Sequence, residues 1–273
     1  MEGGYFKDHR MAPDVIHIED PLGVYASLII GEDRALLFDT AHGIGNLKEH
    51  VARLTHLPLT VVNSHGHVDH LCGNYHFDQV HIHRADMALA EEHASPQMRQ
   101  GPLREAKEKG LLPEEFDEDA YRAKGPGKLV PVDEGHCFDL GGIRLEVISV
   151  PGHTPGSIGL LCPEKGLIFL GDAANPFLFL FLPESGSVKE YLETLYKIKA
   201  LDFERFIISH FPDPLPKEKI DNYIRCTENI DVSKSKPFDF PPFSHINALI
   251  YSHGDRERTD PDYAAIIYTP DRL

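Results

Sequence analysis

The sequence predicts an α/β protein in which mixed β-sheets and helices form layers. Short apolar runs typical of strands recur along most of the chain, and several of them are paired like the strands of a hairpin. Segments with the spacing of amphipathic helices lie between these pairs. This order favours a layered architecture over a doubly wound sheet, in which parallel strands alternate singly with helices.

In the N-terminal part, apolar runs are broken by Gly23 and by residues 31–33, which predict a hairpin turn. Helical spacing follows over residues 46–54 and ends before Pro58. The predicted strands of this part are residues 15–18, 24–30, 35–38 and 59–62.

In the middle of the chain, residues 85–92 predict a helix, and a polar segment with several glycines and prolines follows it. We interpret residues near 85–128 as a helical insertion. A later helix has one face formed by Val188, Leu192, Leu195, Tyr196 and Lys199. The predicted strands of this part are residues 80–82, 143–150, 158–161, 167–170 and 206–208.

The tail is rich in Pro, Ser and Lys from residue 231 to residue 243 and ends in an apolar run over residues 264–268, which predicts a last strand. The composition changes nowhere as it does at a linker between domains. We therefore predict a single domain over residues 1–273, with a C-terminal extension near 231–273.

Composition excludes several classes of function. The net charge of −16 disfavours a nucleic-acid partner, because phosphate binding needs a basic surface. No apolar run approaches the ~20 residues of a membrane span, and the N-terminus lacks the apolar core of a signal peptide. The four cysteines form no CxxC pair, which favours free thiols. We expect a cytoplasmic protein that acts on a small molecule.

Four of the predicted strands stop abruptly at histidine or aspartate. The first of them leads into four metal-competent side chains within six residues, over residues 65–70. Such a cluster is costly without a cation, because packed imidazoles and a carboxylate must be desolvated. His65 and His67 would share one ion, while Asp69 and His70 turn toward a second. The other three strands lead to His153, Asp172 and His210, which are also candidate metal ligands.

These motifs resemble the metallo-β-lactamase superfamily of hydrolases over roughly residues 15–210. The matching segments are His65-Gly66-His67-Val68-Asp69-His70, Pro151-Gly152-His153-Thr154, Gly171-Asp172 and Ser209-His210. The resemblance implies a four-layer αββα sandwich with mixed sheets and an active site along one sheet edge.

The resemblance also implies a role for each ligand. One ion would be held by His65, His67 and His153, a second by Asp69, His70 and His210, and both by Asp172. Asp39 would support the metal loops. Where the family usually has glycine soon after that aspartate, this chain has Ala41-His42-Gly43. His42 could point toward the site or be an ordinary loop residue, and the loop residue is favoured.

The expected cofactors are two divalent ions. Imidazole and carboxylate ligands suit zinc, while iron and manganese stay open. The two ions would share a hydroxide and stabilise charge on attacking and leaving atoms. Asp69 is the expected catalytic residue, because it could orient this hydroxide or carry a proton to the leaving group.

Differences between this sequence and the motifs of individual branches of the superfamily limit the classes of substrate to be expected. His70 disfavours a true β-lactamase, His67 and the chain length disfavour the flavo-di-iron branch, and charge and length disfavour the nuclease branch. The branch that remains resembles glyoxalase II thioesterases and lactonases, which cleave a small-molecule ester, a thioester such as a hydroxyacylglutathione, or a lactone. The alternatives are a phosphodiesterase, and a non-hydrolytic di-iron redox or binding protein.

Two segments keep more than one interpretation. Residues 177–182, which alternate Phe and Leu, could line an apolar pocket, cover the metals, form a homodimer contact or pack in the core. In the tail, His245, Tyr251 and His253 could reach the mouth of the site, but ordinary structural roles are favoured for all three.

Overall fold

The computed structural model describes residues 4–241, 243–254 and 262–273, and its strands form three sheets. The first sheet contains, in spatial order, β1 (Lys7–Ala12), β2 (Val15–Glu19), β3 (Tyr25–Ile30), β4 (Ala35–Phe38), β5 (Leu59–Val62), β6 (Val80–His83) and β7 (Leu129–Val132). Strands β1 to β4 pair antiparallel, and β4 to β7 pair parallel, so this sheet is mixed.

The second sheet is also mixed. Its spatial order is β14 (Leu215–Pro216), β13 (Arg205–Ile207), β11 (Leu167–Phe169), β10 (Ile158–Cys162), β9 (Arg144–Ser149) and β8 (Cys137–Asp139). Strands β11 and β13 pair parallel in it, and the other neighbours pair antiparallel. A third, smaller sheet has the order β12 (Phe177–Leu180), β17 (Ala264–Tyr268), β16 (Ala248–His253) and β15 (Lys236–Phe238).

Seven helices belong to the described part of the chain. They are α1 (Leu47–Leu54), α2 (Val68–Leu71), α3 (Met87–His93), α4 (Pro96–Glu108), α5 (Glu118–Arg122), α6 (Val188–Ala200) and α7 (Lys219–Glu228). Four of them, α1, α4, α5 and α6, begin at a residue whose side chain caps the first turn. The side chain of Asn46 accepts from the backbone N–H of Glu49 at the start of α1, and Ser187 and Glu190 form a reciprocal capping box at the start of α6.

The two large sheets face each other across a buried apolar layer. Leu36 and Phe38 of the first sheet belong to the same core cluster as Leu160 and Phe169 of the second. Helix α1 packs on the outer face of the first sheet, while α6 and α7 pack on the outer face of the second. The four-layer αββα sandwich predicted from the sequence is therefore confirmed.

The helical insertion and the C-terminal extension also have definite structures. The region near 85–128 contains α3, α4 and α5; that it is an insertion stays a prediction. In the C-terminal extension, the predicted last strand is β17, and β15 and β16 join it in the third sheet. Residues 242 and 255–261 of this extension lie outside the described residues. None of the helices in the described ranges is both long and apolar enough to cross a membrane.

Candidate metal centre

The loops that follow β5, β9, β11 and β13 bring all seven predicted ligands to one edge of the sandwich. The side chains form two groups, His65 with His67 and His153, and Asp69 with His70 and His210. Asp172 lies between the groups. One of its carboxylate oxygens, Oδ2, is 3.8 Å from His153 Nε2 and 3.2 Å from His210 Nε2.

Hydrogen bonds on the outer side of the histidine rings fix which nitrogen faces the centre. His153 donates from Nδ1 to the carbonyl oxygen of Phe179 at 2.8 Å, and His67 donates from Nε2 to Glu184 Oε1 at 2.6 Å. The opposite ring nitrogen of each histidine therefore carries a lone pair, which is the form that binds a metal. The sequence analysis missed Glu184, which follows the third-sheet strand β12 and belongs to no metal-ligand motif.

Asp39 connects two of the metal loops, the one after β5 and the one after β13. Its carboxylate accepts from the backbone N–H of Ser64 at 2.7 Å, from the Ser64 hydroxyl at 2.8 Å and from the Ser209 hydroxyl at 3.1 Å. It also accepts from His70 Nδ1 at 2.9 Å. Because the Ser64 hydroxyl donates to Asp39, it accepts from His65 Nδ1, so the Nε2 atom of His65 faces the centre as an acceptor, while His70 Nε2 lies 3.3 Å from Asp69 Oδ2.

The inner face of the cluster needs a cation. His65 Nε2 and His67 Nδ1 lie 3.1 Å apart with their lone pairs toward each other. The inner atoms His70 Nε2, His153 Nε2 and Asp172 Oδ1 are buried and have no hydrogen-bond partner among the residues described. Unpartnered buried acceptors are costly, and a divalent ion satisfies several of them at once. The chemistry of the residues present therefore fits divalent metal ions, and the number of ions stays a prediction.

The histidines of the cluster differ in charge. Burial opposes a charge on each ring, but Asp69 and Asp172 raise the pKa of His70 well above its usual value and that of His210 to about 10, so a metal ion would displace a proton from each of these two rings. Burial, together with the neighbouring histidines, holds the pKa of His65 well below its usual value, and burial lowers that of His153 to about 4. Both rings are neutral at pH 7, as ligands must be. Burial alone would raise the pKa of Asp172, but His210 and His70 beside it bring that pKa well below its usual range. The carboxylate is therefore ionised.

A residue of the helical insertion joins two of the metal loops. The carboxylate of Asp86 accepts from the backbone N–H of Gly66 at 2.9 Å, from that of Gly156 at 2.7 Å and from the Thr154 hydroxyl at 2.6 Å. A Cβ atom at Gly156 would meet the Asp86 carboxyl carbon at 2.6 Å, so only glycine allows this approach. The sequence analysis missed Asp86, because nothing in its local sequence links it to these distant loops.

The metal loops open into a cavity of about 1050 Å³. Five of the seven predicted ligands line it: His67, Asp69, His153, Asp172 and His210. Phenylalanine rings form another part of the lining, and we call five of them the aromatic wall: Phe177, Phe179, Phe238, Phe240 and Phe243.

The structure corrects the interpretation of His42 as an ordinary loop residue. It lies in the loop after β4, but its side chain is buried and lines the same cavity as Asp69 and His210. Its Nδ1 donates to Asp20 Oδ2 at 2.6 Å. Burial would lower the pKa of His42, but the Asp20 carboxylate raises it above its usual value. The Asp20 carboxylate thus favours the charged form of His42 at the cavity wall.

The Phe/Leu stretch resolves into two faces. Phe177 and Phe179 are half-buried and line the cavity, whereas Leu178 and Leu180 are buried in the core beneath the second sheet's helices, with Leu178 also reaching the cavity lining. The pocket and core interpretations thus hold for alternate residues of one strand. A homodimer contact at this stretch stays a prediction.

The three tail residues have other places. Among the described residues, the lining of this cavity does not include His245, Tyr251 or His253. Tyr251 packs against the core, and His253 lies near Arg225. All four cysteines lie in described ranges, and each is a free thiol, as predicted.

Residues 20–210 match the family model described as the Metallo-beta-lactamase superfamily. The chain belongs to the metallo-beta-lactamase superfamily. This membership places it among divalent-metal hydrolases and agrees with the resemblance found in its motifs.

Individual relatives agree with this assignment. The chain is similar to acyl-coenzyme A thioesterase MBLAC2 of Bos taurus, with 27% identity over 205 residues that cover 67% of this chain and 71% of that protein. A shorter stretch of 76 residues is 36% identical to hydroxyacylglutathione hydrolase of Erythrobacter litoralis and covers 28% of this chain and 30% of the relative. A metallo-beta-lactamase family protein from Thermus thermophilus shares the fold, with a TM-score of 0.59 and 21% identity over 79% of this chain and 80% of that one.

Proposed function

We propose that this superfamily member is a dinuclear metal-dependent hydrolase that cleaves a small-molecule thioester, or the related carbonyl ester or lactone. The observation that carries the proposal is the pair of ligand groups around Asp172, whose inward lone pairs face one cavity. The similarity to an acyl-coenzyme A thioesterase and to a hydroxyacylglutathione hydrolase supports thioesters in particular.

Each residue of the centre has a role in this proposal. His65, His67 and His153 would hold one ion, Asp69, His70 and His210 the other, and Asp172 both. When bound, the two ions supply a water-derived nucleophile at neutral pH and polarise the carbonyl group. Asp69, whose Oδ2 lies 3.4 Å from His210 Nε2, would orient the attacking water and take up its proton.

His42 would assist the leaving group. Its Nδ1 is engaged by Asp20, which itself accepts from the backbone N–H groups of Leu22 and Val24 at 2.9 and 3.1 Å. The imidazolium thus has a fixed orientation, and Nε2 is its remaining donor. Donation from Nε2 to the departing sulfur or oxygen would balance the negative charge that develops there.

The first experiment measures metal content by elemental mass spectrometry on protein purified without added metal. We expect about two zinc ions per chain in the parent and fewer in Asp172→Ala, because that carboxylate would contact both ions. The exposed residue Asp78 provides a matched control, Asp78→Ala, which should keep the parent content. A folded parent that contains no metal and takes up no added zinc contradicts the proposal.

The second experiment measures activity. The zinc-loaded protein should hydrolyse acyl thioesters, with released thiol detected by a chromogenic disulfide, and Asp172→Ala should lose this activity. Phosphodiester hydrolysis without thioester, ester or lactone hydrolysis would replace the proposal by a phosphodiesterase. Two irons per chain with a visible spectrum that changes on reduction, and no hydrolysis, would replace it by a redox protein.

A further inference from the structure

The aromatic wall has two separate origins in the chain. Phe177 and Phe179 belong to β12, whereas Phe238, Phe240 and Phe243 belong to the C-terminal extension. Ring centroids of neighbouring members lie 5.1 Å apart for Phe179 and Phe240 and 5.9 Å apart for Phe177 and Phe238. Residues far apart in sequence thus meet to form one continuous apolar surface.

These rings are presented to the cavity and not enclosed in the core. Phe181, which is 2% exposed, lies behind the wall and packs edge-on against Phe179 at 5.3 Å. In contrast, Phe240 is 38% exposed, and the other four members are half-buried. Keeping large aromatic rings in contact with water is unfavourable by the hydrophobic effect, and such surfaces usually mark a binding site.

The wall adjoins the metal centre through a single residue. The carbonyl oxygen of Phe179 accepts from His153 Nδ1 at 2.8 Å, while the ring of the same residue faces the cavity. A substrate with its carbonyl group at the metals would therefore extend its next atoms along the rings.

We infer that the aromatic wall binds an apolar chain of the substrate, of alkyl or aryl type, next to the bond that is cleaved. The inference rests on the proposed function and adds the substrate class to it: the site takes hydrophobic esters or thioesters. The wall contributes no polar side chain of its own, so it selects for apolar surface and length and not for a hydrogen-bonding group.

The first test is a series of straight-chain acyl thioesters of N-acetylcysteamine, from acetyl to decanoyl, with the zinc-loaded enzyme. We expect kcat/KM to rise by up to about fourfold for each methylene that the wall buries. In Phe240→Ala this rise should become shallower, while the acetyl thioester stays within about twofold of the parent. A matched control, Phe116→Ala, alters a ring outside the cavity lining and should keep the parent slope.

A second series places the chain on the thiol, as S-alkyl thioacetates, and decides which half of the substrate contacts the wall. A slope in either series that Phe240→Ala reduces supports the inference. No dependence on length in either series overturns it, as does an equal loss for acetyl and decanoyl thioesters. A parent dimer that Phe240→Ala converts to a monomer, with unchanged slopes, would assign the wall to a contact between copies.

A binding measurement separates this inference from the proposed function. Titration calorimetry of the chelated, metal-free protein with butyrate and decanoate should show decanoate bound at least tenfold more tightly, and Phe240→Ala should reduce that ratio. Such a preference in a protein that hydrolyses no ester or thioester would keep the apolar subsite and reject the hydrolase. Hydrolysis of esters or thioesters together with equal binding of butyrate and decanoate would keep the hydrolase and reject the apolar subsite.

Discussion

Glu184 orients the ring of His67, one of the proposed metal ligands. Its carboxylate accepts from His67 Nε2 at 2.6 Å, which fixes the tautomer and the orientation of that histidine. Carboxylates in this position also make the imidazole a stronger ligand, and their loss typically lowers metal affinity by roughly 10–100-fold.

We therefore predict that Glu184→Gln lowers zinc affinity by about 10–100-fold without unfolding the protein. The measurement is competition with a chromophoric chelator at fixed pH. Glu193→Gln, at an exposed position on α6, is the matched control and should leave the affinity unchanged. Equal affinity in Glu184→Gln and the parent would show that His67 is oriented without this carboxylate.

His42 gives a prediction that depends on the leaving group. If it donates to the departing atom, His42→Gln should slow an alkyl oxygen ester by about 100-fold in kcat/KM, since an alkoxide needs the proton. An aryl thioester, whose thiolate leaves unaided, should slow less than about tenfold.

Asp20→Asn should produce the same selective loss in weaker form, because Asp20 only positions His42. The exposed tail residue gives a control, His245→Gln, that should match the parent with both substrates. Equal losses for the ester and the thioester would assign His42 to substrate binding or to folding.

At this scale, the sequence predicted the ligand positions and one supporting residue, Asp39, but not the other supports. Most of the ligands occur in short motifs that also contain their neighbours, such as His65 to His70, so proximity in the chain reveals them. Glu184, Asp86 and His42 contribute through contacts that only folding creates, and their local sequence resembles that of any surface loop.

Among the elements, Arg99 on α4 connects the helical insertion to the metal loop. Its guanidinium is fully buried and donates to the carbonyl oxygens of Ala94, Lys124, Cys72 and Gly125, at 2.9 to 3.2 Å. Each carbonyl lies at the end of a helix or in a loop, where no backbone N–H within the element is free to bond it. One side chain thus holds together the ends of several elements.

We predict that Arg99→Lys lowers the free energy of unfolding by about 3 kcal/mol, because a single ammonium group cannot reach all of these buried carbonyls. Urea denaturation of the metal-free protein measures it. An exposed arginine of α4 provides the control, Arg104→Lys, which should change the free energy by less than about 0.5 kcal/mol. A similar small change in Arg99→Lys would mean that water replaces the missing donors.

Element prediction succeeded where apolar periodicity was strong. The buried strands β3, β4 and β9 and the amphipathic helix α6 agree with the sequence within a few residues. Strand β1 was missed because it is a polar edge strand, with charged residues that an edge tolerates.

In the molecule as a whole, His17 joins the two large sheets. This buried residue of β2 donates from Nε2 to the carbonyl oxygens of Ile208 and Phe211, in the loop after β13, and its Nδ1 accepts from the Ser27 hydroxyl. Burial lowers the pKa of His17 to about 4, below the ~6.5 of an unfolded chain. The unfolded state therefore binds a proton first.

The contribution of His17 to stability is thus fully present above about pH 6.5 and is lost as the pH falls through about 4. We predict a loss of about 3 kcal/mol of unfolding free energy from this residue over that range. Urea denaturation of the chelated protein between about pH 7 and pH 4 measures it, and His17→Gln should have a shallower dependence. The exposed control His56→Gln should follow the parent; a parallel curve for His17→Gln would contradict the prediction.

The architecture as a whole was predictable because the histidine and aspartate motifs and the order of predicted strands and helices both indicated a layered sandwich. The place of the C-terminal extension was not, because β12 pairs with β17, and these two strands are far apart in sequence. Register between such distant strands depends on the packed surfaces that they share, which no local pattern encodes.

Strand β12 meets two requirements with different atoms: it orients His153 with a main-chain carbonyl and lines the cavity with side chains. In many proteins, requirements of this kind fall on the same side chain and limit how the sequence can diverge. The metal centre uses the main-chain carbonyl of Phe179, which every amino acid provides, whereas the cavity uses the side chain. Substitutions at positions 177 and 179 can thus remodel the cavity one residue at a time while the His153 ring keeps its orientation. A lineage with this strand can change its choice of substrate along single mutational steps without passing through a metal-deficient intermediate.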